Sequence, residues 1–487
     1  MPSPATEPLL PASTPAATGG RAAPRRTGAL WRRTPVLVAV ALLVIAVIWV
    51  VATDMRPSYD AFGWLDWGRQ TLHWDLNLDG APSWKPLTFL FTFPYALAGP
   101  NPQVWLWMIT ATAAAASGPL LAGRIAYRLT GRAPGRPWAR WVAAAFAGVG
   151  VLGLDGLSHL VLIANSDPMI VALCLAAIDC HLSGRRRLAL LALLLAGYGR
   201  PEVWAFVVLY AALVWREEPA ARPLAIASVL SLPAAWFIAP AIASHSWLSA
   251  GDLALGSKNV IHGNKIVGVI ERLRNTSAVP FQLAVAGSLG LAIARRDRAV
   301  LTLFGAALLW VLIEIAFAYH GWSAVARYLL EPAAVLLVLG GTGIGWVLSW
   351  RGAGVPAALR AAPAIVPLAL AVGLIPTARS RADIARGEIE DAGRAAKEMS
   401  RLEAVISAAG GAAKFKACGH PVSLLGKQSE VAWALGVSVG EVGFRPGADI
   451  HNGVRIVLLK PHDLGWQVRP YNTSASCRSL DIDSEMG

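Results

Sequence analysis

About eleven runs of mostly apolar residues follow one another along this chain, and that succession limits its fold more than any other feature. They cover 36–52, 103–125, 139–154, 168–182, 188–199, 203–215, 223–243, 280–294, 299–319, 331–349 and 361–377. A helix needs about 20 such residues to cross the hydrocarbon core, somewhat fewer where flanking side chains snorkel, so these runs read as spans. Backbone groups inside lipid must satisfy one another, and a helix does so within a single segment. The expected fold is therefore an all-α polytopic membrane protein. Only 15% of the residues are charged, where a soluble domain sits near a quarter, so lipid is the main solvent.

The loops give an orientation. Basic residues collect in alternate loops, at Arg32 and Arg33, Arg128 to Arg140, Arg185 to Arg187, Arg216 and Arg222, Arg295 to Arg298, and Arg351 and Arg360. The intervening loops carry the acids Asp54, Asp60, Asp66, Asp75 and Asp79, then Asp155 and Asp167, then Asp252 and Glu271. Basic loops stay in the cytoplasm. The N-terminus is then cytoplasmic, and with an odd number of spans residues 378–487 lie outside the plasma (inner) membrane. This topology also accounts for the net charge of +13, because the cations do not gather on one soluble face as nucleic-acid binding requires. Residues 1–35, rich in Pro, Ala, Thr and Arg, bury too little apolar surface to order and read as a cytoplasmic tail.

The external segment reads as a polar helix from Ala378 to Ile406, stopped by Gly410 and Gly411, and then as strand-like runs such as Val422–Leu425 and Val454–Leu459. A small α/β or α+β domain follows. Cys418 and Cys477 are its only cysteines, and an oxidising exterior favours a disulfide between them. Cys174 and Cys180 fall on a span and read as small core residues.

No P-loop, dinucleotide fingerprint, His-Glu-x-x-His or Cys-x-x-Cys is present, which argues against nucleotide-driven work. The long external loops mix acids with aromatics, and that asymmetry places the chemistry outside. In the loop 53–102, Ser58 to Gly68 alternates apolar and aromatic residues with Asp60 and Asp66, suiting a short surface helix whose polar side faces a cavity. A carboxylate there is either a general base toward a hydroxyl or a helix cap. The runs 188–199 and 203–215 are short for spans and meet at Tyr198 to Glu202. Arg200 and Glu202 then either face a wet cavity below the surface or form an interfacial pair beside a helix-ending Pro. The loop 244–279 supplies Lys258, His262, Lys265, Arg272 and Arg274, which suit a phosphate or are solvated cations. Arg327 opens the tenth run at the external membrane edge, where a lone cation snorkels or meets an anion.

Together these segments resemble the C-type (GT-C) glycosyltransferases, polytopic enzymes that move sugars from polyprenyl-phosphate donors onto acceptors outside the membrane. Tyr59-Asp60 looks like the position of their catalytic Asp. Pro82-Ser83-Trp84-Lys85-Pro86, after Ala81, is similar to a pattern in bacterial members that has His where Lys85 stands. Arg200-Pro201-Glu202-Val203-Trp204 resembles an element of actinobacterial members, and Ala326-Arg327-Tyr328-Leu329-Leu330-Glu331-Pro332 resembles a turn near the donor phosphate. The resemblance covers 36–377, and the Cys418 and Trp433 region looks like an extension of some relatives.

What the resemblance implies is an inverting transfer from a polyprenyl-phosphate sugar to an extracytoplasmic acceptor in the cell envelope. Asp60 would be the base, with Asp66 sharing or taking that role because Ala61 stands where many members have a second acid. Arg327 and Tyr328, with Lys258 and Lys265, would meet the donor phosphate, and Arg200, Glu202 and Lys85 would shape the cavity. A divalent cation stays open. The rival readings are a transporter or lipid-linked glycan flippase working through the Arg200–Glu202 hairpin, and an inactive relative acting as a scaffold. Paired broken helices in two related halves would mark a transporter, and no such repeat is visible.

Overall fold

The structure is a computed structural model that describes residues 28–80, 82–132, 135–256, 258–350, 362–462 and 465–483. Ala81, Arg351, Arg360 and most of the tail 1–35 lie outside the described residues. The chain divides into two compact units, Met1–Ala41 and Leu42–Gly487. The first contributes the opening of helix α1 (Gly28–Thr53).

Two helices occupy the first long loop, α2 (Tyr59–Leu72) and α3 (Pro86–Ala96). The sequence reading expects only the first. The second starts because Pro86 stands at the beginning of the apolar run LTFLFTF, where its missing N–H costs nothing. There follow α4 (Pro100–Thr130), α5 (Pro137–Leu152), α6 (Leu157–Leu162), α7 (Asp167–Leu182), α8 (Arg186–Gly199), α9 (Trp204–Glu217) and α10 (Arg222–Ala243). Then come α11 (Ser249–Leu255), α12 (Lys265–Asn275), α13 (Val279–Arg295), α14 (Arg298–His320), α15 (Leu330–Ser349) and α16 (Ala362–Gly373).

Every expected span thus coincides with a helix. Among the described residues six helices are long and apolar enough to cross a membrane by themselves, or seven if the bent pair α12 and α13 counts as one. The protein is a multi-pass membrane protein. The last expected span, 361–377, stops early: α16 ends at Gly373 and Pro376 sits in the first turn of the next helix.

Helix α15 is the centre of the bundle, buried along nearly its whole length and packed against α4, α5, α13 and α14. Small residues let those neighbours close on it. A Cβ on Gly341 would lie 2.7 Å from the carbonyl oxygen of Ala143, and one on Gly345 would lie 2.6 Å from the Thr130 side chain.

Beyond the bundle, α17 (Ile375–Ala408) carries the chain into α18 (Ala412–Cys418), α19 (Gln428–Leu435), α20 (Pro446–His451) and a four-stranded sheet. The strands are β1 (His420–Val422), β2 (Ile456–His462), β3 (Gly465–Tyr471) and β4 (Ile482–Asp483), in spatial order β1-β2-β3-β4. β1 runs parallel to β2 and the other pairs are antiparallel, with Leu459 opposite Val468. Strand β1 ends at Val422 rather than Leu425, because the chain turns there and the Ser423 N–H donates to Gly443. Trp466 is fully buried and its indole N–H donates to the Glu398 carbonyl of α17. A disulfide joins Cys418 to Cys477 across 59 residues of sequence.

Candidate active site

Helices α8 and α9, at 14 residues each, are roughly 21 Å long, shorter than a hydrocarbon core of about 30 Å, and they meet in a tight turn at Arg200 to Val203. Its first residue, Arg200, is extended and only 3% exposed. A buried guanidinium needs anions, and three converge on it. Its Nη2 lies 2.9 Å from Asp167 Oδ1, its Nη1 3.3 Å from Glu202 Oε1 and its Nε 3.3 Å from Glu331 Oε1. The Tyr328 ring covers it at 4.1 Å.

Asp167 extends the cluster toward Lys85, Arg327 and Asp60. It opens α7, fully buried, with its backbone N–H on Asn165 Oδ1 at 3.0 Å. Lys85, the residue before α3, lies 3.3 Å from Asp167 Oδ1 and donates to Ser166 Oγ at 3.1 Å. Arg327 Nε lies 3.6 Å from Asp167 Oδ2, and Arg327 Nη1 donates to Asp60 Oδ2 at 3.1 Å. Asn165 Nδ2 donates to the same Asp60 oxygen at 3.4 Å. Asp60 and Arg327, distant in sequence, are the partly exposed end of the cluster.

Two turns that carry these residues pass through left-handed backbone at non-glycine positions, Ala164 at φ 53° and Ala324 at φ 44°. Such a conformation costs roughly 1–2 kcal/mol and persists where neighbours hold it. Here the Trp107 indole donates to the Ala164 carbonyl at 3.0 Å, and Arg272 Nη1 donates to the Ala324 carbonyl at 2.9 Å.

Directly below the charges lies a cavity of about 550 Å³. Its walls are apolar, from Leu193, Phe206, Leu303, Trp310 and Val335, with Glu331 at one end and the His181–Tyr210 pair elsewhere in the lining. The Trp310 indole donates to the Tyr328 carbonyl at 3.0 Å, so one residue joins the cavity wall to the charged cluster.

The structure thus brings together Asp60, Lys85, Arg200, Glu202, Arg327 and Tyr328. It does not bring the other candidates there. Asp66 lies on a different face of α2, fully buried, paired with Arg69 and accepting from Gln70 Nε2 at 2.6 Å. Arg69 in turn donates to the Trp433 and Val437 carbonyls at 3.1 and 3.3 Å and lies over the Trp433 ring. Asp66 therefore faces the junction between α2 and the C-terminal domain. Burial pushes its carboxyl up to about 7, with Arg69 pulling the other way. Lys265 begins α12 and donates to the Ile261 carbonyl within its own loop, and Lys258 is exposed on the preceding segment. Arg272 from the same loop instead ties down the strand of chain that leads to Arg327.

Three acids of the cluster escape the sequence reading as site residues: Asp167, Glu331 and Glu314, which reaches Glu202 from α14. Asp167 counts there only as a loop acid and Glu331 only as part of a motif. Glu314 offers the plainest signal, a lone ionisable residue in the apolar run 299–319. For a divalent cation the arrangement fits poorly. No group of three or more His, Cys, Asp or Glu able to hold a metal occurs among the described residues, and both Asp60 contacts come from nitrogen donors.

No protein-family model and no curated protein matches the sequence. Among solved structures, the chain is similar to a crystal structure of ArnT from Cupriavidus metallidurans bound to undecaprenyl phosphate. The TM-score is 0.54 at 14% identity, over 91% of this chain and 99% of that one. The same protein in the apo state matches with a TM-score of 0.51 at 15% identity, over 92% and 99%. The likeness shows the GT-C fold.

Proposed function

We propose that the protein is an inverting glycosyltransferase that moves a sugar, hexose or pentose, from a polyprenyl-phosphate carrier to a hydroxyl acceptor on the external side of the plasma membrane. The observation that carries this is the 3.1 Å pair of Asp60 and Arg327, joined through the neighbouring Tyr328 carbonyl and the Trp310 indole to the wall of an apolar cavity. A lipid-linked phosphate needs a cation at a membrane edge and an apolar channel beside it, and both are present together. The neighbour bound to undecaprenyl phosphate supports the same donor class.

In this reading the phosphate takes the Arg327 guanidinium, which offers a planar fork of donors to two oxygens. Asp60 is thereby released from its ion pair. Its carboxylate accepts the proton of the acceptor hydroxyl, the acceptor oxygen bonds to the anomeric carbon, and the bond from that carbon to the phosphate oxygen breaks. The electron pair leaves on the phosphate, whose new charge meets Arg327 and, behind it, Lys85. A single displacement inverts the anomeric centre. No metal is needed for the leaving group because two cations already face it. The topology follows the same reading: the N-terminus is cytoplasmic, and the domain after α17 stands outside, over α2.

The test is single-turnover transfer in reconstituted membranes with a panel of radiolabelled polyprenyl-phosphate sugars. Wild type is expected to transfer from at least one donor and Asp60→Ala from none while still inserting. Normal turnover by Asp60→Ala overturns the assignment of the base, and no turnover with any donor overturns the enzyme.

A further inference from the structure

One group in the cluster has no part in that chemistry. Glu314 lies midway along α14, fully buried, inside an otherwise apolar stretch. Neither of its carboxyl oxygens meets a hydrogen-bond donor among the described residues, and the same holds for Glu202 Oε2. Its hydrogen-bonding neighbour is another acid, Glu202 on the turn between α8 and α9. Two carboxylates repel; a carboxyl and a carboxylate hydrogen-bond. Glu314, with no other donor beside either oxygen, holds the proton of this pair and Glu202 receives it.

The surroundings point the same way from every side. Arg200 is the cation that reaches these acids, and it is already divided among Asp167, Glu202 and Glu331. From α7 the pair is faced by Cys174, from α15 by Glu331, and from α14 itself by apolar side chains. Lys85 and Arg327 reach only Asp167 and Asp60. Across the cluster five carboxyl groups therefore stand against three cations. Fully ionised, it would present net negative charge to an incoming phosphate.

We propose that Glu202 and Glu314 share a proton, and that Glu314 is a positioning residue which, through this proton, keeps Arg200 on Asp167 and the site open to an anionic donor. The linkage is continuous: Glu314 to Glu202, Glu202 to Arg200, Arg200 to Asp167, Asp167 to Arg327. An ionised Glu314 would draw Arg200 toward α14. Asp167 would then lose its shortest partner and take Arg327 more fully, leaving less of that guanidinium for phosphate. The effect on donor affinity rests on the lipid-linked donor reading; the shared proton does not.

The two parts are separated by two measurements on the full chain in membranes. Infrared difference spectra taken across a pH titration should show a protonated-carboxyl band in wild type that is lost in Glu314→Gln and shifted in Glu202→Gln. A band unchanged in either variant overturns the shared proton, whatever the protein transfers. With a donor in hand, the wild-type KM should rise about tenfold once the pH is high enough to remove the proton, with kcat changing less. Glu314→Gln, which mimics the protonated acid, should keep kcat within about threefold of wild type and a KM that no longer depends on pH. If Glu314→Gln shows the wild-type pH profile, the positioning role is wrong even where the proton is present. Glu202→Gln supplies the second variant should Glu314→Gln fail to insert.

Discussion

Replacing Asp66 by Asn tests where the second acid of α2 belongs. In the folded protein the carboxyl is fully buried at the junction with the C-terminal domain, and burial moves it from its ordinary 3.8 up to about 7. Between those values the folded state binds a proton that the unfolded chain has released. Stability must then fall as the pH rises from about 4 to about 7, and level off above. The gap of about 3 corresponds to roughly 4 kcal/mol as an upper bound, a sizeable part of the 5–15 kcal/mol that holds a typical domain folded. Glu430, half-buried in the C-terminal domain beside Lys427, is likewise pushed up to about 7 by its desolvation and adds to the slope in the same window. Thermal unfolding of the purified protein in detergent, followed by tryptophan fluorescence at pH 5 and pH 8, reads the slope. Wild type should be the less stable at pH 8. Asp66→Asn should lose a large part of that difference and gain stability at pH 8, while sugar transfer persists. A wild-type slope in Asp66→Asn refutes the buried-acid argument. Abolished transfer with an intact fold would return Asp66 to the chemistry.

Two further substitutions probe the packing under the site. Arg200→Met leaves Asp167, Glu202 and Glu331 without their shared cation and should cost about 3–5 kcal/mol in an unfolding titration; Arg200→Lys should not restore it, because one ammonium cannot span three carboxylates. Loss below about 1 kcal/mol in Arg200→Met would mean that the cluster is wetter than its burial indicates. Gly68→Ala places a Cβ 2.4 Å from the Thr92 carbonyl oxygen, so α2 must move away from α3 at a cost of roughly 1–3 kcal/mol, seen as a lowered melting temperature.

Spans and their order are legible in the sequence because lipid imposes one simple requirement, an apolar run long enough to form a self-satisfied helix. Asp60, Arg200 and Arg327 are legible for the converse reason: charges beside apolar runs stand out. What joins them is not. Asp167 precedes Pro168 at a helix start, where acids are ordinary, and only the fold shows that it binds three cations at once. The basic residues of the loop before α12 mislead, since charge alone cannot distinguish a phosphate ligand from Arg272 bracing the turn at Ala324. Asp66 misleads through spacing. Six residues from Asp60, it falls on another face of α2, and only the position of α19 decides what that face meets.

The 34-residue helix α17 leads out of the bundle and supplies the face on which β3 and α19 pack. A helix of that length is a rod whose rotational phase is fixed at 100° per residue. One residue inserted in its exposed middle would turn the whole C-terminal domain by more than a quarter of a circle and carry Trp433 away from Phe62 and Arg69. Insertions of about seven residues would restore the phase but raise the domain by roughly 10 Å. The length of α17 is thus a gauge, matched to the distance from the end of α16 to the helix that bears Asp60.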